Sequence, residues 1–254
     1  MNEETKALLR QLAERYETAD FLRCDPSQFM HHYTAHADQE VVAFIASCLS
    51  FGQRKQFLKK IELIEQSMNG QPALWIKERR YATDKLFSGK SPAESFYRMV
   101  TYGDLMALFD KMADDNIFEL QRERKIVCNT STIQEHWATP HLVPCDPKST
   151  CKRLHMFMRW MVRKDSPVDL GLWSEHISPA SLTIPLDVHV CQEAVRLGLI
   201  ERPTMSLATA RRITEQARTI FPDDPARLDF ALFGLGVDEN RTDAPQSSRC
   251  PSGL

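Results

Sequence analysis

Glycine is scarce in this chain, with 9 among 254 residues, about half of what the usual share of about 7% would supply. That scarcity argues against a hairpin-rich β fold. The seven cysteines, at positions 24, 48, 128, 145, 151, 191 and 250, never stand as a C-x-x-C pair. Their odd number and wide scatter exclude a zinc ribbon or a four-cysteine iron–sulfur site and read as the reduced thiols of a cytoplasmic protein. Long apolar runs are missing as well. The longest, Val41 to Phe51, falls far short of the roughly 18 residues that mark a membrane span. The opening stretch, Met1 to Asp20, alternates acids and bases on a helical period and holds no apolar core, so no signal peptide is expected. A surplus of one charge sign is the last absence. At a net charge of −2, only the placement of charges can argue for a partner.

What is present is an ordinary globular composition, 43% hydrophobic and 26% charged, long enough to bury a core without staples. Helical periodicity dominates. Thr5 to Tyr16 carries Leu8, Leu9, Leu12 and Tyr16 on one face. Asp38 reads as the cap of a second helix through Val41, Val42, Ile45 and Leu49, and Gly52 interrupts it. Gln53 to Met68 follows and stops at Asn69-Gly70, a C-cap signal. Ser91-Pro92 reads as opening a further helix, and Asp104 to Ala113 as another. Cys128 to Pro147 reads as a long surface loop. Lys152 to Lys164, Val188 to Leu199 and Ser206 to Ile220 are the clearest late helices, with Asp229 to Leu235 as a short apolar closing segment. From Asp238 onward the polar, Pro/Ser/Gly-containing composition reads as a disordered tail. The expectation is an all-α fold with a single domain over residues 1–237, in two lobes with a cleft between them.

The helix from Lys152 carries five bases (Lys152, Arg153, Arg159, Arg163, Lys164) and no acid. At about 100° per residue, Leu154, Phe157, Met158 and Met161 form an apolar stripe, while Arg159 and Arg163 fall within about 20° of Lys152. An uncompensated row of this kind repels itself unless an anion lies against it. It is read either as a solvated face, as a row paired with the protein's own acids, or as a phosphate contact. Arg54-Lys55 with Lys59-Lys60 forms a second basic cluster after Gly52-Gln53. With Ser149 as cap, Lys152 stands in the first helical turn, where the helix dipole and Arg153 oppose a further full positive charge. Asp187, after Pro185-Leu186, is placed to cap the helix from Val188. A lysine amine for attack on a sugar carbon and a carboxylate to take its proton are the two groups that break an N-glycosidic bond covalently. The plainer readings are a solvated lysine and an aspartate that only caps.

These residues carry a family likeness. Ile184-Pro185-Leu186-Asp187-Val188-His189-Val190, followed by Arg196-Leu197-Gly198-Leu199, resembles the aspartate-plus-helix segment of the helix-hairpin-helix DNA glycosylase superfamily. The lysine of that superfamily's bifunctional members maps onto Lys152, and Leu49-Ser50-Phe51-Gly52-Gln53 is similar to its early L-S-x-Q segment. A closer resemblance, over most of residues 15 to 237, is to an uncharacterised bacterial family within or near that superfamily. It rests on runs such as Cys151-Lys152-Arg153-Leu154, Arg159-Trp160-Met161-Val162-Arg163, Val168-Asp169-Leu170-Gly171-Leu172-Trp173 and Asp229-Phe230-Ala231-Leu232-Phe233-Gly234-Leu235-Gly236-Val237. The chain departs from the superfamily where Val143-Pro144-Cys145-Asp146-Pro147-Lys148-Ser149 replaces the glycine-bearing hairpin turn. Phosphate contact would then fall to Ser149, Thr150 and their amides. The 35 positions from Lys152 to Asp187 resemble the wide spacing of the archaeal 8-oxoguanine DNA glycosylases.

The resemblance implies a nucleoid-associated monomeric DNA base-excision repair enzyme with an atypical hairpin. It would flip a damaged or modified base from double-stranded DNA, excise an oxidised purine such as 8-oxoguanine, and use Lys152 for Schiff-base (AP lyase) chemistry with Asp187. Ser149, Thr150, Arg153, Arg159, Arg163, Gln53, Arg54 and Lys55 would contact the DNA. Trp160, Trp173 and His189 would line the base pocket. No cofactor, metal or membrane is expected. The alternatives are a non-catalytic DNA-binding protein, a base- or nucleoside-modifying enzyme on the same scaffold, or a helical protein-interaction domain. His31, His32, His36 and Asp38 can be drawn as a metal site, but a polar turn after Pro26 explains them more simply. Cys151, beside Lys152, reads as a bystander thiol.

Overall fold

The computed structural model of the protein places residues 1–144, 146 and 149–243. In chain order its helices and strands are α1 (Glu3–Tyr16), α2 (His36–Leu49), α3 (Arg54–Ser67), α4 (Pro72–Lys77), β1 (Ser95–Tyr97), β2 (Val100–Thr101), α5 (Tyr102–Asp114), α6 (Ile117–Arg122), α7 (Thr130–Trp137), α8 (Lys152–Val162), α9 (Val188–Arg196), α10 (Leu207–Arg218) and α11 (Leu228–Asp243). The fold is predominantly helical, with one small antiparallel hairpin among the described residues. None of the described helices is long and apolar enough to cross a membrane.

The chain divides into two compact units, Met1–Asp25 with Pro147–Leu254, and Pro26–Asp146. The first unit is therefore discontinuous, and α1 belongs with the C-terminal half, which sequence patterning did not reveal. Its core joins Leu9, Leu12 and Ala13 of α1 to Val190 and Ala194 of α9, Ala210 and Ile213 of α10, and Leu228, Ala231 and Leu232 of α11. The second unit is built around α2, buried from Gln39 to Leu49. Aromatic side chains fill it: Trp75 meets Phe109 at 5.2 Å and Tyr81 at 5.3 Å, and Trp137 meets Phe118 at 4.7 Å and Phe44 at 5.0 Å.

Several boundaries differ from the sequence expectation for local reasons. Ser91-Pro92 opens no helix. The Pro92 carbonyl accepts the Gly103 N–H at 2.9 Å, and the β1–β2 hairpin turns through Arg98 at φ 52. The helix begins only at α5, where Thr101 and Asp104 form a reciprocal capping box that satisfies two end donors at once. The supposed loop from Cys128 contains α7, capped by Asn129 Oδ1, which accepts from Ser131 N at 2.9 Å and Thr132 N at 3.1 Å. Only two buried apolar residues, Ile133 and Trp137, mark α7 in a polar stretch. Asp38 does not cap α2; it lies in the first turn and accepts the Ala73 N–H at 2.9 Å. The tail read from Asp238 starts inside α11, and residues 244–254 lie outside the described residues, as do Cys145, Pro147 and Lys148 of the hairpin substitute.

Gly234 lets α11 approach α1, because a Cβ there would collide with the ring of Tyr16. Gly234→Ala should therefore destabilise the first unit by about 1–3 kcal/mol. Denaturant unfolding checks this, and adding Tyr16→Ala should remove most of the difference between glycine and alanine at 234.

Candidate functional site

Lys152 and Asp187 are brought together. Lys152 Nζ lies 3.3 Å from Asp187 Oδ2, and both side chains are about one third exposed, at 33% and 34%. Two helix starts create the meeting. Asp187 caps α9, its Oδ1 accepting the Val190 N–H at 2.9 Å. Capping pins the carboxylate's orientation and leaves the other oxygen aimed at the amine. The cap and the lysine partner are thus one group using different oxygens.

Lys152 is the first residue of α8, two positions nearer the end than a Ser149 cap would give. Cys151 intervenes in left-handed conformation at φ 45 as the N-cap, and Ser149 Oγ accepts the Cys151 N–H at 3.3 Å. Ser149, Thr150 and Arg153 are half-buried around this start, and His189, in the first turn of α9, is exposed. An exposed ion pair of this kind stabilises by about 0–1 kcal/mol. Stability does not account for the pair; accessibility to a ligand is what distinguishes it.

Arg159 and Arg163 correct the sequence reading. They are buried, at 3% each, and face inward. Arg159 pairs with Asp169 and Asp229. Arg163 pairs with Asp169, with Glu17 at 2.6 Å and with Asp224 at 2.8 Å. Burial works against both guanidinium charges, but the facing carboxylates more than offset it and hold both arginines above their ordinary range. The ring of Phe230 lies 4.5 Å from the Arg159 guanidinium. These two arginines form an internal ion network and are not a row available to phosphate. The reason is that α8 is enclosed from Leu154 to Val162, so its basic face looks into the protein. Trp160 and Trp173 are corrected for the same reason. They are 0% and 1% exposed, with Trp173 edge-on to Phe157 at 5.4 Å, and neither offers a face for base stacking.

Gln53, Arg54 and Lys55 belong to the other unit, exposed at the start of α3. That unit also holds a small cavity of about 80 Å³ lined by residues including Val41, Ile76, Met112, Arg122 and Trp137. Of the residues weighed for a metal, His32 Nδ1 lies 2.7 Å from Glu65 and Asp38 serves α4. The thiols at 48, 128, 151 and 191 are buried and form no disulfide. Burial, and then the Asp187 charge, push the Cys191 thiol up, so it is no nucleophile beside the pair.

Sequence reading missed Asp229 and His155. Asp229, in the first turn of α11, is bonded to Arg159. Burial, opposed by Arg159 and reinforced by the Asp187 charge, pushes its carboxyl up to about 6, with Lys152 pulling the other way. A signal existed: Leu228-Asp229 at the start of α11 repeats Leu186-Asp187 at the start of α9. His155, one turn beyond Lys152, is 7% exposed, and its Nε2 has no partner. Burial, then the Arg211 charge, lower it to about 4.

Two outcomes follow. Asp169→Asn removes the carboxylate shared by two buried arginines and should cost about 3–5 kcal/mol in denaturant unfolding. For His155, folded protein binds the proton less readily than unfolded chain. Its contribution is complete above pH 6.5 and is lost as pH falls towards 4, at about 1.4 kcal/mol per pH unit. The stability difference between wild type and His155→Leu should therefore drift by about 3 kcal/mol across that window, and a flat difference would refute it.

No curated protein and no solved structure matches the chain. Residues 25–238 match the family described as protein of unknown function (DUF2400), and the chain belongs to that family.

Proposed function

We propose that the protein is a DNA N-glycosylase with AP lyase activity, acting on an oxidised purine such as 8-oxoguanine through Lys152 and Asp187. The observation that carries the reading is the 3.3 Å approach of Lys152 Nζ to Asp187 Oδ2 at the exposed starts of two helices. The likeness of the Ile184–Val190 segment to the helix-hairpin-helix glycosylases supports it, and the predominantly helical fold accords with it.

In this reading the target nucleotide is swung out of the duplex. Asp187 takes a proton from Lys152, and Nζ forms a bond to C1′ as the N-glycosidic bond breaks. The electron pair of that bond leaves with the base, which takes up a proton. Opening of the sugar at C1′–O4′ gives the Schiff base, and loss of a 2′ proton then expels the 3′ phosphate. Asp187 also opposes the positive charge that develops on the sugar. Ser149, Thr150 and Arg153, which surround the start of α8, would meet the backbone phosphates. Gln53, Arg54 and Lys55 offer a basic surface on the other unit.

The inward pairing of Arg159 and Arg163 favours a second reading. With the basic row neutralised from within, the chain fits a helical protein-interaction domain.

Borohydride trapping on duplexes bearing 8-oxoguanine or an abasic site separates these readings. The proposed enzyme gives a covalent adduct that Lys152→Ala abolishes, and Asp187→Asn slows single-turnover base release by about 10²–10⁴-fold. Both variants should lose no more than about 1 kcal/mol through the broken pair, because asparagine at 187 still caps α9. Absence of any adduct or base release with wild type overturns the reading. Salt-dependent DNA binding without an adduct would then indicate a non-catalytic binding module, and neither would indicate the interaction domain.

A further inference from the structure

We propose that the tip of the β1–β2 hairpin at Arg98, together with Lys55 and Lys59 of α3, forms a surface that binds the phosphate backbone of double-stranded DNA. The inference rests on the reading of DNA as the substrate and gives it a set of contacts lying wholly within the unit Pro26–Asp146. It begins with the charge pattern of α3. Arg54, Lys55, Lys59 and Lys60 stand in its first half without an acid, and its two acids, Glu62 and Glu65, come only later. Bases at a helix start oppose the helix dipole. Lys55 and Lys59 are both exposed, and standing four apart on one face they repel each other.

The hairpin brings a further base to the same end of α3, and three contacts hold it there. Tyr97 Oη donates to the Phe51 carbonyl at 2.6 Å. Lys60 Nζ lies 4.6 Å from the centre of the Phe96 ring. Gly52, at φ 79, leaves room for the Arg98 guanidinium, because a Cβ there would collide with Arg98 Nη1 and Tyr97 Oη. Phe96 and Tyr97 are buried, so the hairpin is anchored, while Arg98 is exposed. Carboxylates close in sequence are engaged elsewhere, Glu65 with His32 at 2.7 Å and Glu94 with Lys90 at 2.7 Å. Among the described residues no carboxylate pairs with Arg98, Lys55 or Lys59.

Three local conflicts therefore meet in one place. Arg98 sits at φ 52, a conformation that disfavours a residue with a Cβ by about 1 kcal/mol or more. The other two are the bases set against the dipole and the like-charged pair. Sequences keep such conflicts chiefly at functional sites, and a polyanion relieves both electrostatic ones as its condensed counterions are released. The spread of the bases selects the kind of anion. Lys55 and Lys59 are about 6 Å apart along α3, and Arg98 reaches in from another element across Gly52. A strand with a charge at every step meets such a spread, whereas a lone phosphate needs convergent donors.

The test reads the salt dependence of binding. Fluorescence anisotropy of the full chain on a short undamaged duplex is followed from about 50 to about 200 mM salt. Lys55→Gln and Arg98→Asn, asparagine being tolerant of the left-handed backbone, should each lower the slope of log affinity against log salt by about 0.9, and the double variant by about 1.8. Arg98→Lys keeps the charge and should keep the slope. Lys125→Gln, which removes an ammonium already paired with Glu123 at 2.8 Å, should also leave it unchanged. Unaltered slopes in folded Lys55→Gln and Arg98→Asn overturn the inference, and so does an equal fall in Lys125→Gln, which would mark diffuse attraction. Wild type that sediments with phosphatidylserine vesicles and ignores the duplex overturns it in favour of a membrane. Should Arg98→Asn not fold, phenylglyoxal modification of Arg98 in wild type, read by peptide mass spectrometry, takes its place: duplex should protect the guanidinium, and equal modification with and without duplex counts against the surface. None of these readouts needs excision. Slopes that fall without a trapped adduct keep the surface and remove the glycosylase reading; a trapped adduct with unaltered slopes does the reverse.

Discussion

The first unit is organised by two guanidinium groups that have been taken out of water. Burying a charge costs several kcal/mol even after relaxation, so Arg159 and Arg163 at 3% exposure must each be surrounded by carboxylates. The required acids come from every part of the unit: Glu17 after α1, Asp169 after α8, Asp224 before α11, and Asp229 within it. A network of this kind adds little net stability compared with an apolar core of equal volume, but breaking it at one point strands a charge. Its structural effect is therefore one of register. The segments after α1 and around the start of α11 must reach α8 at fixed positions, and the N-terminal helix is drawn into the C-terminal half of the chain.

Register at the buried middle of α8 determines geometry at its exposed beginning. Lys152 is two turns from Arg159 on the same side of the helix, so the clamp on the arginine also fixes the direction in which the lysine is presented. Asp187 is fixed separately, through its duty as the cap of α9. Each partner of the 3.3 Å pair is thus positioned by something other than the pair itself. Such an arrangement is what preorganisation requires, since the weak mutual attraction of two part-exposed groups could not hold them in place unaided. The contrast between the two ion clusters is the main functional argument. One is dry and serves the fold; the other is part-exposed and contributes little to stability.

How much of this was legible in the sequence depended on whether a pattern had a local cause. Helices with strong periodicity or caps, such as α1, α3 and α9, were readable, and Asp187 was identified as a cap from its place before Val188. The hairpin at Ser95–Thr101 was obscured by Ser91-Pro92, a helix-opening signal that yields to the stronger capping box at Thr101 and Asp104. α7 escaped because Ile133 and Trp137 alone mark it. The basic face of α8 was visible, but its direction was not. A row of arginines reads the same from sequence whether it faces phosphate or the protein's own acids, and the deciding carboxylates lie up to 146 positions away, as Glu17 does from Arg163. The same non-local character hid Asp229.

The inward turn of α8 also narrows what any nucleic acid could meet. With Arg159 and Arg163 committed to the fold, what α8 still presents to solvent is its start, where Ser149, Thr150 and Arg153 stand beside the left-handed Cys151. A left-handed non-glycine residue carries a conformational cost of about 1 kcal/mol or more, which the surrounding structure must sustain. What it accomplishes is to end the incoming segment abruptly and begin the helix at Lys152 itself. Had α8 begun one turn earlier, Lys152 would lie within the helix body, further from the free N–H groups of the helix end. The left-handed residue at 151 and the position of the amine at the outermost helical residue are therefore two aspects of one backbone choice.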